Sequence, residues 1–300
     1  MKKLKIYQID AFTNQKFKGN PAGVVVNADG LNDVQMQQIA RELNNSETAF
    51  LFSPNVTNCD GVIRYFTPKT EVPTCGHATV AAMYAKAIEN NLESCVLRIK
   101  TQIGVLPFAI VRENDDYQVI MTQGKFDLSP AFDTNTTNRI IRALGLIDSD
   151  IDERCPIQVA TTGHSKVMIG IKSRNTLNAL TPNQIDLIAL SKEISCNGYF
   201  VFTFDSDKKD ILTYGRMFAP AIGITEDPVT GNAHGPLGGY LVQHKLVNYK
   251  HDSFEFNGKQ GEIIGRAGLV NVKVGIKNAN PTTIQIKGSA VVIFKTEIEI

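Results

Sequence analysis

The chain carries the octapeptide Glu71-Val-Pro-Thr-Cys-Gly76-His-Ala78, and 155 positions later it carries Glu226-Asp-Pro-Val-Thr-Gly231-Asn-Ala233. Each copy leads into a stretch with the composition of a helix. Upstream, Arg64-Tyr-Phe66-Thr-Pro68 precedes the first copy and Arg216-Met-Phe218-Ala-Pro220 precedes the second, with three extra residues in the second half. The separation is too long for a solenoid repeat, so the pattern predicts a duplicated domain.

The likeness extends to an earlier helix in each half. The matching positions are Met36, Ile39, Glu42 and Leu43 in the first half and Leu187, Leu190, Glu193 and Ile194 in the second. Each half therefore has the same order of a helix, a strand, an Arg-x-Phe-x-Pro strand and a second helix. The substrate site of a duplicated pair usually lies in the cleft between the halves, and we expect it there.

Short runs of β-branched residues dominate the first half, which predicts a mostly antiparallel sheet with helices packed on it. The stretch after Gly76 is rich in alanine and apolar on most sides, as expected of a helix enclosed by a rolled sheet. The fold is therefore predicted as α+β, with two halves built alike. Helices are predicted over Asn32 to about Leu43, from Gly76, near Asn138 to Leu144, over Asn183 to Ile194 and from Gly231 to His244.

A chain of 300 residues suffices for two domains that each bury a core. A polar stretch rich in turn-forming residues begins at Leu128 and is the predicted junction. We place the first domain at residues 1–127 and the second at residues 128–300. The last strand, at about residues 288–300, is apolar enough to be central in a sheet, and the sequence leaves open which domain it joins.

The composition argues against several classes of function. The 31 basic and 30 acidic residues nearly cancel, and no run of Lys or Arg could follow a phosphate backbone, which disfavours nucleic acid as a partner. No phosphate-binding loop or dinucleotide fingerprint occurs. No apolar run has the length of a signal peptide or a membrane span, so we expect a soluble, cytoplasmic protein without membrane contact. The five cysteines and five histidines lack metal-ligand spacing, which disfavours a metal site.

The two matched helix starts are the first candidate binding features. A helix N-terminus presents unpaired amides and a partial positive charge, which suit a carboxylate or an oxyanion. Gly76 and Gly231 let the chain turn tightly and let a ligand approach the backbone. A strand-to-helix turn would explain one such glycine, whereas two matched copies favour an anion site. A small anionic substrate is therefore predicted.

The two copies differ where they carry reactive side chains. Glu47, which follows the first helix, has Gly198 as its counterpart. Apolar neighbours would desolvate Glu47 in part and raise its pKa toward the range useful for proton transfer, although the pattern alone favours a solvated turn residue. The paired positions at the helix starts are Cys75 with Thr230, His77 with Asn232 and Val72 with Asp227. The plainer alternatives are an inert buried Cys75, a core His77 and a helix cap at Asp227.

Five motifs in order give the chain a resemblance to a known family. They are Gly19-Asn-Pro-Ala-Gly23-Val-Val, Ser46-Glu-Thr-Ala-Phe50, Arg64-Tyr-Phe-Thr-Pro68, Thr74-Cys-Gly-His-Ala-Thr79 and Glu226-Asp-Pro-Val-Thr-Gly-Asn-Ala233. From Ile6 to Val291 the chain resembles the PhzF-like isomerases of phenazine biosynthesis. It is most similar to members known only as uncharacterised isomerases, which share Gln158-Val-Ala-Thr-Thr-Gly-His-Ser-Lys166. The resemblance implies the diaminopimelate-epimerase-like fold, in which two pseudo-symmetric domains each curl a sheet around a central helix.

The resemblance also implies a biosynthetic isomerase that needs no cofactor and no metal. Glu47 matches the family's general acid/base, and His77 and Asp227 match residues that assist catalysis or bind substrate. The further substrate-binding candidates are Cys75, Gly76, Gly231 and Asn232. Asn232 stands where the phenazine enzyme has a serine, which puts the phenazine substrate itself in doubt. A homodimer is compatible with the resemblance, because family members are often dimers, and no segment of the sequence marks an interface.

We therefore expect an isomerase that moves a proton on a small carboxylate-bearing metabolite, with Glu47 as the acid/base. One alternative is a non-catalytic small-molecule binder that keeps the same cleft. Another is an epimerase or racemase with two bases, one of them Cys75, although Thr230 takes the place of the second thiol of two-cysteine epimerases. The sequence identifies neither the substrate nor whether the product is an epimer or a shifted double-bond isomer.

Overall fold

The computed structural model describes residues 2–300 and confirms the predicted α+β fold. The chain forms two compact units: the first reaches to Thr122 and includes Lys287–Ile300, and the second is Gln123–Ile286. The break lies a few residues before the one predicted after residue 127, because the backbone N–H of Gln123 already donates to the Ile284 carbonyl of the second unit, at 2.8 Å.

The described chain contains seventeen strands and six α-helices. The first unit contains β1 (Lys3–Ala11), β2 (Asn20–Val25), α1 (Asp33–Leu43), β3 (Thr48–Phe52), β4 (Gly61–Phe66), β5 (Glu71–Val72), α2 (Gly76–Asn90), β6 (Cys95–Thr101), β7 (Gly104–Glu113) and β8 (Asp116–Thr122). The second unit contains β9 (Asp127–Ala131), α3 (Thr134–Ala143), β10 (Gln158–Thr161), β11 (Lys166–Ile171), α4 (Arg174–Ala179), α5 (Gln184–Ile194), β12 (Tyr199–Thr203), β13 (Thr213–Ala219), β14 (Ile224–Asp227), α6 (Gly231–Gln243), β15 (Ser253–Gln260) and β16 (Gly268–Lys277). Strand β17 (Asn280–Glu299) includes the point at which the chain returns to the first unit. Within residues 2–300, every helix is too short or too polar to cross a membrane.

Strand pairing is the same in the two units. In the first, β2 is parallel to β3 and β4 is parallel to β6, while β3 and β4 are antiparallel. In the second, β11 is parallel to β12 and β13 is parallel to β15, while β12 and β13 are antiparallel. The register is also kept, since Thr48 faces Phe66 and Tyr199 faces Phe218. These are the positions that the sequence repeat aligns, so the structure confirms two halves built alike.

A central helix is buried in each unit. The buried residues of α2 run without a gap from His77 to Ala85, and those of α6 run from Ala233 to Val242. A helix buried on all faces must be enclosed by other structure. Helix α2 contacts β1, β2, β3, β7 and β8, and α6 contacts β10, β11, β15 and β16. A Cβ atom at Gly238 would lie 2.8 Å from Val272 Cγ1, so glycine lets α6 approach β16 closely.

The other helices build a further apolar core in each unit. Met36 and Ile39 of α1 pack with Ile6 and Phe50 of the first sheet. In the second unit, the core includes Ile140, Leu177, Leu187, Leu190, Val201 and Phe218, from α3, α4, α5, β12 and β13. The strands of each unit are therefore stabilised by amphipathic helices as well as by the central helix.

Several elements differ from the sequence-based predictions, and three of them show why. Helix α3 begins at Thr134 rather than Asn138, because the Asp133 side chain caps it by accepting from the Thr136 N–H at 2.8 Å. The polar stretch predicted as a junction contains β9, which pairs with β10. The short helix α4 was not predicted. In each case the residues have the composition of a turn. The helix or strand forms because of a capping side chain or a partner strand that is distant in sequence.

An arginine–glutamate pair holds the segment before the central helix in each unit. Arg64 donates from Nε and Nη2 to the two carboxylate oxygens of Glu71, both at 2.7 Å. Arg216 donates in the same way to Glu226, at 3.0 and 2.8 Å. Bidentate pairs of this kind fix orientation as well as distance. The Arg and Glu of the repeated motifs therefore fasten β5 to β4 and β14 to β13.

Replacing Arg216 with methionine is expected to destabilise the protein more than the same change at Arg64. The Arg216 side chain is only 9% exposed, and its Nη1 also donates to the carbonyls of Leu177 and Leu180. Arg216→Met leaves the Glu226 carboxylate buried without its counter-charge, which costs about 3–5 kcal/mol. The Arg64 side chain is 27% exposed, so solvent screening limits the loss in Arg64→Met to about 1 kcal/mol. Chemical denaturation of both variants measures the difference, and equal losses would contradict this account.

One histidine lies in the core of the second unit. His234 of α6 is fully buried, and its ring packs edge-on against Phe200 with ring centroids 5.0 Å apart. Burial lowers the pKa of His234 to about 3. The imidazole is therefore neutral in the folded protein near neutral pH, and protonating it opposes folding.

The free energy of unfolding is expected to fall as the pH drops below about 6.5, the ordinary pKa of histidine. Between that pH and about 3, the unfolded chain binds a proton at His234 that the folded chain does not. This stabilisation is complete above pH 6.5 and is lost progressively below it, by about 2 kcal/mol between pH 7 and pH 5. His234→Leu should remove that component, and His251→Leu, at an exposed position, should retain it. Denaturation curves at several pH values measure this, and an unchanged pH dependence in His234→Leu would refute the assignment.

Candidate active site

The two central helices begin without a side-chain cap. Within residues 2–300, each of the other four α-helices starts at a side chain that accepts a hydrogen bond from the first turn: Asn32, Asp133, Ser173 and Asn183. Cys75 and Thr230 occupy the capping positions of α2 and α6, form no cap hydrogen bond, and precede first turns that lack acidic residues. The amides at both starts are therefore suited to an external anionic group.

Glu47 lies in the connection between α1 and β3, close to the start of α2. Its side chain is 15% exposed, and its Oε2 is 3.4 Å from Nε2 of His77, whose side chain is 8% exposed. Ser46 Oγ lies 3.2 Å from the same nitrogen. The helix-to-strand connection thus places a carboxylate and a hydroxyl against one imidazole, largely shielded from water.

Cys75 completes this cluster in the first unit. Its Sγ lies 3.4 Å from Nδ1 of His77, and both residues are buried. The Cys75 carbonyl accepts a hydrogen bond from Thr79 Oγ1 at 2.6 Å, and that hydroxyl lies 2.5 Å from the Tyr65 hydroxyl. Burial raises the pKa of Tyr65, so the phenol stays neutral. Hydrogen bonds from the second turn of α2 and from β4 therefore fix the backbone that carries the thiol.

The same three side chains have the spacing of metal ligands. One ligand atom each from Glu47, Cys75 and His77 lies within 4.8 Å of the others. Carboxylate oxygen, thiolate sulfur and imidazole nitrogen are all ligands that zinc accepts. The sequence predicted a metal-free site from the spacing of Cys and His residues along the chain. Such spacing does not show which residues come together in the folded protein. The absence of a metal therefore stays a prediction.

The remaining predicted residues belong to the second unit. Asp227 is the last residue of β14 and is buried, and its Oδ2 accepts a hydrogen bond from Thr230 Oγ1 at 2.5 Å. Gln260 donates to the Asp227 carbonyl at 2.7 Å and to Thr230 Oγ1 at 3.1 Å, and its Oε1 accepts from the Thr230 N–H at 3.1 Å. One glutamine therefore fixes both the end of β14 and the first residue before α6.

Gly231 and Asn232 form the start of α6. Gln123 Nε2 donates to the Gly231 carbonyl at 3.0 Å, while Gln123 Oε1 accepts from Thr162 at 2.7 Å. Asn232 Oδ1 is buried and has no hydrogen-bond partner within residues 2–300. Buried acceptors are rarely left unsatisfied, so this oxygen is suited to a donor on a bound molecule.

Sequence reasoning missed three residues that build these sites. Ser46 lies beside Glu47 in the quoted motif, so its place in the chain could have identified it. Gln260 is 30 positions from the threonine it contacts, and Gln123 is 108 positions from the glycine it contacts. No local pattern predicts such partners, because only the folded sheet brings them together.

Comparison with known proteins agrees with this architecture. Residues 9–296 match the family described as phenazine biosynthesis-like protein. The chain is 57% identical over 298 residues to an uncharacterised isomerase of Clostridium acetobutylicum, with 99% of each chain covered. It is 32% identical over 285 residues to the trans-2,3-dihydro-3-hydroxyanthranilate isomerase of Pseudomonas chlororaphis, covering 94% of this chain and 95% of that protein. The fold is similar to the crystal structure of a PhzF-family phenazine biosynthesis protein from Bacillus anthracis, with a TM-score of 0.90, 32% identity and complete coverage of both chains.

Gly76 is a glycine that internal packing does not require. A Cβ atom built there meets no atom within 4 Å, and its φ is not positive. Gly76→Ala is therefore expected to retain the fold and to change its stability by less than about 0.5 kcal/mol, because Gly76 is the first residue of α2 rather than an interior one. The added methyl should obstruct an anion at the helix amides. Thermal unfolding with and without malonate measures both effects, and equal stabilisation of variant and wild type by malonate would argue against an anion site at this helix start.

Proposed function

The chain belongs to the phenazine biosynthesis-like protein family and is an isomerase, and we propose that it moves a proton on a small carboxylate-bearing metabolite with Glu47 as the general acid/base. The observation that carries the proposal is the placement of Glu47 against His77 beside the uncapped start of α2. The counterpart position in the second unit is Gly198, which has no side chain. The duplicated scaffold therefore supports a single carboxylate acting as acid and base in turn.

The geometry of the first unit supports proton transfer. A carboxylate shielded from water can take a proton from carbon and return it at another position or face. The His77 imidazole, 3.4 Å away, can hold that carboxylate in one orientation by hydrogen bonding. Negative charge develops on the substrate when a carbon next to a carboxyl group loses its proton. The unpaired amides at the start of α2 are suited to stabilise that charge.

The substrate is proposed to be a small organic acid. The relative from Pseudomonas chlororaphis is named for trans-2,3-dihydro-3-hydroxyanthranilate, which makes that acid the first candidate to assay. Asp227, Gly231 and Asn232 are proposed to contact a substrate at the start of α6. Asn232 offers an amide where the family resemblance implies a serine hydroxyl in the phenazine enzyme, so we propose a substrate preference different from that of the phenazine enzyme.

A second candidate is an epimerase or racemase reaction that uses the Cys75 thiol. The 3.4 Å separation of Cys75 Sγ from His77 Nδ1 favours it, because an adjacent imidazole can accept the thiol proton and leave a reactive thiolate. The two candidates differ in which side chain exchanges its proton with the substrate.

Glu47→Gln is expected to abolish incorporation of solvent deuterium into the substrate carbon. Glutamine retains the shape of the side chain but cannot accept a proton, and loss of an acid/base group lowers rates about 10²–10⁴-fold. Incubating candidate acids with the protein in heavy water, followed by NMR or mass spectrometry, measures the exchange.

Two further variants make the test specific. Glu42→Gln changes an exposed carboxylate of α1 and should exchange deuterium at the wild-type rate. Cys75→Ser should also retain exchange if Glu47 is the base. Undiminished exchange in Glu47→Gln would refute the role of Glu47, and its loss in Cys75→Ser alone would favour the thiol reaction.

A further inference from the structure

Lys166 is a buried lysine that the proposed reaction does not use. It is the first residue of β11 and is 8% exposed. Its Nζ donates to the Ser165 carbonyl at 3.1 Å, and it forms no ion pair within residues 2–300. Holding an ammonium group away from water costs several kcal/mol unless an anion compensates. A buried lysine with one neutral partner therefore points to an anionic ligand.

The Lys166 side chain occupies the space beside Gly198 that a side chain at position 198 would otherwise fill. A Cβ atom built at Gly198 would lie 2.4 Å from Lys166 Cδ and 3.4 Å from its Nζ. The backbone places the two residues together, because the Val167 N–H donates to the Gly198 carbonyl at 2.8 Å. Gly198 is the counterpart of Glu47, so the second unit carries a lysine side chain at the position that corresponds to the carboxylate of the first unit.

Three effects act on the protonation of Lys166: its burial and the nearby side chains of Asp227 and Cys196. Burial lowers the pKa of Lys166, and the nearby charge of Asp227 acts in the opposite direction. The neighbouring thiol of Cys196 is not a counter-ion, because burial raises its pKa and keeps it protonated. Asp227 is itself oriented by Thr230, at the uncapped start of α6. Because Glu47 lies at the start of α2 and Gly198 is its counterpart, the repeat assigns Lys166 to the start of α6, where an anion is already expected.

We propose that Lys166 binds a carboxylate of the ligand at the start of α6 and so selects a charged acid over its neutral amide. The inference rests on the proposed function in one respect, namely that the bound acid is the substrate. A protonated lysine at this place attracts an acid electrostatically. It also gives the site an interaction that an ester or an amide cannot make.

Lys166→Met tests the proposal, because methionine retains most of the apolar stem and removes the charge. The probes are malonate and the neutral malonamide, and affinity is measured from the rise in the unfolding temperature with ligand concentration. All variants are compared in a Gly76→Ala background, which removes malonate binding at the start of α2. Wild type is expected to prefer malonate, and Lys166→Met should lower malonate affinity about tenfold or more while leaving malonamide unaffected. Lys166→Arg should retain much of the preference.

Gly198→Ala gives a second test that does not remove the charge. The new methyl overlaps the flexible stem of Lys166, so the stem must move and malonate binding should weaken as in Lys166→Met. Lys208→Met, at an exposed position, is the matched control and should bind malonate like the wild type. Wild-type malonate affinity in both Lys166→Met and Gly198→Ala would overturn the proposal, as would equal binding of malonate and malonamide by the wild type.

The same assay separates this inference from the proposed function. Glu47→Gln should bind malonate normally while failing to exchange deuterium. If Glu47→Gln instead retains exchange while Lys166→Met loses malonate, the role of Glu47 fails and that of Lys166 stands. Once a substrate is known, Lys166→Met should raise KM for the acid more than it lowers kcat, a separation that mere loss of packing would not produce.

Discussion

The bidentate arginine–glutamate pair is the interaction on which both helix starts depend. Glu71 and Glu226 each stand five positions before the first residue of a central helix, and each is held by an arginine from the neighbouring strand. A carboxylate bound through two parallel hydrogen bonds cannot rotate freely, so the chain enters the helix in a fixed direction. That direction determines where the first amides of α2 and α6 point.

Fixing the helix starts in this way makes a side-chain cap unnecessary for positioning. The other four helices of the described chain use Asn, Asp or Ser side chains to satisfy their first amides. At α2 and α6 an anchored strand end replaces the cap, and the amides remain for another acceptor. Backbone amides that lack an acceptor lower the stability of the fold. Their presence at these two helix starts is therefore expected of a ligand-binding site.

The sequence predicted the parts of this structure that repeat or that have a local pattern. The duplicated motifs predicted two similar units, and the alanine-rich stretch after Gly76 predicted an enclosed helix. It did not predict the hydrogen bonds of Gln260 and Gln123, because contacts between residues distant in sequence produce no periodic pattern of residue types. It also missed β9, whose strand conformation depends on pairing with β10 rather than on its own residues.

Comparison of the two units shows how a duplicated scaffold can acquire an unsymmetrical function. At corresponding places the first unit carries the Glu47 carboxylate, whereas the second carries no side chain at Gly198 and accommodates the Lys166 stem instead. A second carboxylate would have offered a second base and would have repelled an acid. A protonated lysine at this place cannot act as a base, and it attracts an acid instead of repelling it. The glycine therefore has a chemical consequence: by omitting one side chain, the fold gives up a potential base and makes room for a lysine, while retaining the helix start that both units share.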